Sequence, residues 1–342
     1  MIRTEHGGNT LGMEGILDFS ANINPLGITE NIRRAFILSA DELDRYPDPF
    51  CVKLRKKIGG HIGKEMERIV CGNGADELIY RIVNAVRPRR ALIVSPTFSE
   101  YGKALAESGC ETEEYILKEE NGFEVTEDLL HCIKDEYDMF FLCSPNNPTG
   151  RAVREDILAY SADICRRNGI ILVCDESFIH YTDSRGMIPF LNENVIVLRS
   201  MTKSWAVPGI RLGYAVFGSK EMADRAGRTG QFWSVSAPAQ RIGEAAADDM
   251  KYLERSAEYV KRERRYLNSG LAGLVEKVYP SDVNIILFRA EADMDEKMLE
   301  QGILIRNCSD FSGLSEGFFR IAVRTREENE ILINTLRRLR NG

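Results

Sequence analysis

Short apolar runs, each closed by polar or small residues and separated by helical periodicity, constrain this chain more than anything else in it. They lie at 68–71, 91–95, 139–144, 170–175 and 195–199, with helix-period stretches such as 75–86 and 154–167 between them. Runs without a polar face predict strands buried on both sides, and strands that alternate with helices form a mostly parallel sheet covered by helices. The expected class is α/β. In such sheets ligands bind beyond the carboxyl ends of the strands, and the polar motifs described below fall at those ends.

After residue 218 the pattern changes. A long helical region is expected over about 237–271, followed by short strands near 278–279, 284–288, 303–306 and 319–323. The last helix is announced by Thr325-Arg326-Glu327-Glu328, which reads as a capping box. These features predict a large domain over 51–269 and a smaller α+β C-terminal domain over 270–342. Residues 1–50, rich in Gly, Asn, Pro and Asp, read as an irregular arm with a functional role, expected to pack with the small domain and a partner subunit.

Composition narrows the function. With 342 residues, 44% hydrophobic and 28% charged, the chain is an ordinary globular one with room for more than one domain. The net charge of −7 without a basic block argues against nucleic acid as a partner. No apolar run approaches the roughly 20 residues of a membrane helix, and the N-terminus has no apolar signal core, so a cytoplasmic location is expected. The eight cysteines form no C-x-x-C pair and read as small core residues in a reducing compartment. The four histidines lack metal-ligand spacing, so no metal is expected.

Ser200-Met201-Thr202-Lys203-Ser204 follows the run at 195–199, and Arg211 comes eight residues after Lys203. Hydroxyls, a lysine and a guanidinium in this order suit a lysine at a pocket floor beside an anion site. A desolvated lysine is a Schiff-base former, and the same spacing is also met in a lysine that merely reaches out from a strand end. Cys71-Gly72-Asn73-Gly74-Ala75-Asp76 joins a strand to a helix, as an anion cradle does; a structural tight turn has the same composition. The dinucleotide fingerprint is incomplete here, lacking its third glycine. Phe98, in Pro96-Thr97-Phe98-Ser99-Glu100-Tyr101, offers either a stacking face or core packing. Asn147 sits in Ser144-Pro145-Asn146-Asn147-Pro148-Thr149-Gly150, a polar turn. Asp175 ends a buried run, where it needs a cationic partner or an N-cap role. Arg320 interrupts an apolar strand, as an anion receptor or half of an ion pair does.

Together these motifs resemble, over nearly the whole chain, the fold-type I pyridoxal-5'-phosphate enzymes of the class I/II aminotransferase group. The resemblance implies the PLP-transferase fold and a homodimer. It implies Lys203 as the Schiff-base lysine, Asp175 beside the ring nitrogen, Asn147 at the ring hydroxyl and Phe98 on the ring face. The phosphate would be held by Gly74, Ala75 and Asp76 at the helix start, by Ser200, Thr202 and Arg211, and by Tyr46 from a second subunit. Arg320 would receive the substrate carboxylate.

Two groups within the family share Tyr46-Pro47-Asp48-Pro49 and the arginines Arg306 and Arg320: histidinol-phosphate aminotransferases and threonine-phosphate decarboxylases. The second is the more similar, through residues 6–9 (His-Gly-Gly-Asn), 18–27 (Asp-Phe-Ser-Ala-Asn-Ile-Asn-Pro-Leu-Gly) and 305–314. Phe178 stands where aminotransferases usually carry a tyrosine that reaches the ring oxygen. The resemblance implies decarboxylation of L-threonine O-3-phosphate, a step of adenosylcobalamin biosynthesis. His6, Ala21, Asn22, Asn24, Asn147, Arg306, Arg320 and Arg324 are the expected substrate contacts. Transamination of histidinol phosphate with 2-oxoglutarate is the alternative.

Overall fold

The structure is a computed structural model describing residues 6–341. The arm holds β1 (Leu17–Asp18) and α1 (Glu30–Ser39), and α2 (Val52–Ile62) follows. Then come β2 (Ile69–Gly72), α3 (Gly74–Val86), β3 (Arg90–Ser95), α4 (Glu100–Glu107), β4 (Glu111–Ile116), β5 (Met139–Cys143), α5 (Glu155–Asn168) and β6 (Ile171–Asp175). The central part closes with β7 (Val195–Ser200), the single-turn α6 (Met201–Ser204) and β8 (Gly213–Phe217). Helices α7 (Lys220–Arg228), α8 (Ala237–Ala247) and α9 (Met250–Leu271) lead to the last part. That part holds β9 (Lys277–Val278), β10 (Ile285–Arg289), α10 (Met294–Glu300), β11 (Ile303–Leu304), β12 (Arg306–Asn307), β13 (Phe318–Ala322) and α11 (Arg326–Asn341).

Seven strands form the central sheet in the order β2-β8-β7-β6-β5-β3-β4. Only β8 runs against its neighbours. Alternate residues of each strand enter different cores, as the period of two demands. Leu92, Val94, Phe140, Leu142, Leu172 and Val197 join one buried cluster. Their neighbours Ala91, Ile93, Met139, Phe141, Val173 and Ile196 join another, on the opposite face. Both faces are therefore covered, which is why these strands read as continuous apolar runs.

A second sheet is antiparallel, ordered β12-β13-β10-β9. Its core includes Ile286, Phe288, Phe319 and Ile321, with Val260 and Leu267 from α9 and Leu332 and Ile333 from α11. The arm is tied to this part. β1 pairs in parallel with β11, and Phe19 is fully buried in the same cluster. The capping box forms both ways: Glu328 Oε2 accepts from Thr325 N–H at 3.0 Å, and Thr325 Oγ1 accepts from Glu328 N–H at 3.4 Å.

The sequence reading needs three corrections. The arm is not irregular throughout: 30–39 is a helix, started by Thr29, whose hydroxyl accepts from Ile32 N–H. Ile32 and Ala35 line its buried face. The region 237–271 is two helices, because Asp249 leaves helical geometry at φ −115°, ψ 55°. Strand β4 gives no apolar signal, since Glu111, Thr112, Glu113 and Glu114 are exposed on a sheet edge, where charge blocks further pairing.

Candidate active site

The carboxyl ends of β2, β3, β5, β6 and β7 open on one side of the central sheet. Arg211 enters at the same end because β8, which follows it, is antiparallel. Above them lies a cavity of about 510 Å³, bounded on its far side by the arm and by β12 and β13.

An anion cradle forms where α3 starts. Asn73 makes no side-chain cap, so the first N–H groups of a positive helix end face outward. Gly74 has φ +88°, and a Cβ there would meet Arg211 Nη2 at 2.7 Å. A Cβ on Gly213 would meet Ala75 N at 2.5 Å. Side chains at either position would push the guanidinium and β8 away from the helix start. Ser200 completes the cradle as the N-cap of α6, accepting from Thr202 N–H at 3.3 Å and bonding Thr202 Oγ1 at 2.7 Å.

Lys203 projects from α6 into the cavity, and its Nζ donates to Ser200 Oγ at 3.4 Å. Burial pulls its pKa below the usual lysine range. Asp175 and Asp76 oppose that pull and Arg211 reinforces it. Asp175, at the end of β6, accepts from Ser177 N–H at 2.8 Å and from the Tyr101 hydroxyl at 2.7 Å. Phe98 lines the wall, braced edge-on by Tyr101 at 5.7 Å. Asp76 lines it too; one of its carboxylate oxygens is buried without a partner, and burial, then Glu100, raises its pKa.

The opposite wall carries two arginines. Arg306 and Arg320 are paired residues of β12 and β13, 7% and 6% exposed. Arg320 donates to Asn147 Oδ1 and, at 2.7 Å, to the Ser20 carbonyl; its Nε has no partner. Burial lowers its pKa to about 10. Arg306 donates to Asp310 Oδ2 at 2.6 Å and lies over the Phe311 ring. From the arm, Ala21 and Asn22 line the cavity, and Asn22 Oδ1 is buried without a partner. His6 Nε2 lies 2.9 Å from Glu100 Oε1, with its ring 5.6 Å from Phe98. Phe178 also lines the cavity and packs into the cluster that holds Phe19.

The structure therefore gathers Lys203, Asp175, Asn147, Phe98, Phe178, Ala75, Asp76, Ser200, Arg211, Arg306, Arg320, His6, Ala21 and Asn22 around one cavity. Gly74 stands directly behind Arg211. Asn24 is a correction. Its amide donates to the Ser204 carbonyl at 2.7 Å and to Ser256 Oγ at 2.8 Å, and its Oδ1 accepts from Leu26 N–H, so it anchors the arm instead of facing the cavity. Arg324 is another: it pairs with Glu328 at 2.6 Å, at the start of α11. Thr202 is buried behind Ser200. Tyr46 lies outside the cavity of its own chain, 80% exposed and stacked on Trp233 at 4.5 Å. Sequence reasoning missed Tyr101 and Glu100. Both were within a motif already singled out, and Tyr101 follows Phe98 by one helical turn.

Solved structures share this architecture. The histidinol-phosphate aminotransferase from Clostridium acetobutylicum matches with a TM-score of 0.89 and 26% identity, covering 95% of this chain and 99% of that one. Fold and site define a pyridoxal-phosphate enzyme of fold type I. Residues 14–336 match the model of aminotransferase class I and II, and the chain belongs to that family. It is 38% identical to a threonine-phosphate decarboxylase of Salmonella typhimurium, over 100% of this chain and 98% of that protein. It is 36% identical to the adenosylcobalamin biosynthesis bifunctional protein of Leptospira interrogans, matching 96% of this chain but spanning 40% of that longer protein.

The cavity fits pyridoxal 5'-phosphate, the family's cofactor. The α3 cradle with Arg211 and Ser200 suits its phosphate, the buried carboxylate of Asp175 its ring nitrogen, and the desolvated amine of Lys203 its aldehyde.

Proposed function

We propose that this chain decarboxylates L-threonine O-3-phosphate to (R)-1-aminopropan-2-ol O-2-phosphate and CO2, a step of adenosylcobalamin biosynthesis. The observation that carries the reading is the end-to-end likeness, at 38% identity, to a threonine-phosphate decarboxylase; the buried Arg306–Arg320 pair suits a substrate with two anionic groups but is common to both readings. Residues 51–269 would hold the cofactor, 270–342 would carry the arginines, and 1–50 would close over both.

Bound pyridoxal phosphate supplies an electron sink for the pair left on Cα. The protein decides which bond supplies that pair. Arg320, fixed by Asn147 and the Ser20 carbonyl, holds the carboxylate. Ala21 and Asn22 bound it from the arm, so the Cα–carboxylate bond is turned to the breaking orientation. Arg306 and His6 take the phosphate. The Lys203 amine would return a proton to Cα after CO2 has left.

Transamination of histidinol phosphate is the second reading, favoured by the close superposition on an aminotransferase. Phe178 weighs against it, because it presents no hydroxyl to the ring oxygen. Steady-state kinetics with 2-oxoglutarate present test the choice. The decarboxylase reading expects kcat/KM for L-threonine O-3-phosphate to exceed that for histidinol phosphate; the reverse order contradicts it.

We also propose a homodimer. Tyr46, Phe50, Phe232 and Trp233 form an exposed aromatic group, and a second copy covering it would bring Tyr46 to the partner's phosphate cradle.

A further inference from the structure

Asp175 has a second partner that the family chemistry does not require of it. Its Oδ2 accepts from the Tyr101 hydroxyl at 2.7 Å, while Oδ1 accepts from Ser177 N–H. Tyr101 is buried in the first turn of α4. It stacks on Phe141 at 4.9 Å, with 14° between the ring planes, and meets Phe98 edge-on. Packing accounts for an aromatic ring at 101. It does not account for the hydroxyl, since phenylalanine fills the same space without a polar group to satisfy.

We infer that Tyr101 is a positioning residue for Asp175: its hydroxyl fixes the direction of the carboxylate toward the cofactor's ring nitrogen. Burial, then the nearby Asp175, pushes the phenol well above its ordinary range, so Tyr101 keeps its proton at neutral pH. The other titratable groups that interact with Asp175 are Lys203 from α6, Cys143 from β5 and its chain neighbours Cys174 and Glu176, the latter turned to Arg199. Burial and Asp175 raise the Cys143 thiol to about 12, so it stays neutral as well. Tyr101 also supports Phe98, so one side chain on α4 braces both the stacking residue and the carboxylate.

With the hydroxyl removed, the Asp175 carboxylate is free to turn, and its hydrogen bond to the ring nitrogen weakens. Electron withdrawal from Cα then weakens, and substrate binding does not. The test is Tyr101→Phe as holoenzyme at saturating cofactor, beside Asp175→Asn. The readouts are a pH titration of the bound cofactor's absorbance, kcat and KM measured separately, and thermal melting to show that the variant is folded. The expected results for Tyr101→Phe are a titration midpoint moved to higher pH and a kcat about tenfold lower, with KM little changed. Asp175→Asn should move both readouts in the same direction and further. A Tyr101→Phe enzyme with unchanged midpoint and kcat, altered only in melting temperature, overturns the inference and leaves a packing role. An Asp175→Asn enzyme with the parent's spectrum and kcat overturns it too, by removing Asp175 itself from the cofactor's chemistry.

Discussion

Arg306 and Arg320 are directly opposite each other on adjacent antiparallel strands, both buried and both facing the cavity. Like charges at paired positions destabilise a sheet, and burial adds to the cost. Asp310 offsets part of this at Arg306, and a ligand carrying two anionic groups would offset more. Replacing Arg306 with Gln should raise KM for L-threonine O-3-phosphate by about 10- to 100-fold, the loss of one charge-assisted contact. Unphosphorylated L-threonine should be affected far less. Steady-state kinetics on both substrates check this, and Arg320→Lys should harm both alike, because the carboxylate is common to them.

Lys203 should show its desolvation in the apo-protein. Only the neutral amine captures an aldehyde. Because burial lowers its pKa, capture should rise with pH and level off below the ~10.4 of an ordinary lysine. Stopped-flow absorbance after cofactor addition measures this, and Lys203→Ala should abolish it. The unfolded chain binds a proton there that the folded chain resists. Apo-protein stability should therefore rise with pH between the two pKa values, and this dependence should be absent in Lys203→Ala.

Glu176, next to Asp175, points away from the cavity and pairs with buried Arg199 at 2.7 Å. Burial raises the Glu176 pKa, while Arg199 opposes the shift. Glu176→Ala leaves the Arg199 charge buried and unpaired, which should cost about 3–5 kcal/mol of stability. Denaturant unfolding checks the loss. Two adjacent carboxylates thus serve different ends, one structural and one facing the cavity.

Much of this was legible because a strand buried on both faces leaves an apolar run, and the polar residues that close it must sit at a sheet end. Lys203, Asp175 and Asn147 were found that way. Strand β4 was not, because an edge strand is selected for charge and its pairing with β3 leaves no mark in composition. Asn24 was misassigned because its neighbours Ala21 and Asn22 do line the cavity. Within a turn the backbone decides which side chains face inward, and that direction is set by contacts with Ser204 and Ser256, far along the chain. The Tyr101 partner, Asp175, is likewise distant, 74 residues along the chain.

Phe178 is the residue on which reaction choice should turn. Phe178→Tyr adds a hydroxyl within the cavity at little change of volume. It should raise the fraction of turnovers that end in amino transfer when 2-oxoglutarate is present, measured as glutamate formed per CO2 released. An unchanged ratio would make Phe178 a packing residue alone.

The most direct measurement is CO2 released from L-threonine O-3-phosphate by the holoenzyme with no 2-oxo acid present. Decarboxylation regenerates the enzyme without an acceptor, so the account predicts many turnovers and one CO2 per substrate consumed. Release of no CO2, with activity seen only as glutamate once histidinol phosphate and 2-oxoglutarate are supplied, would contradict it and make the protein an aminotransferase.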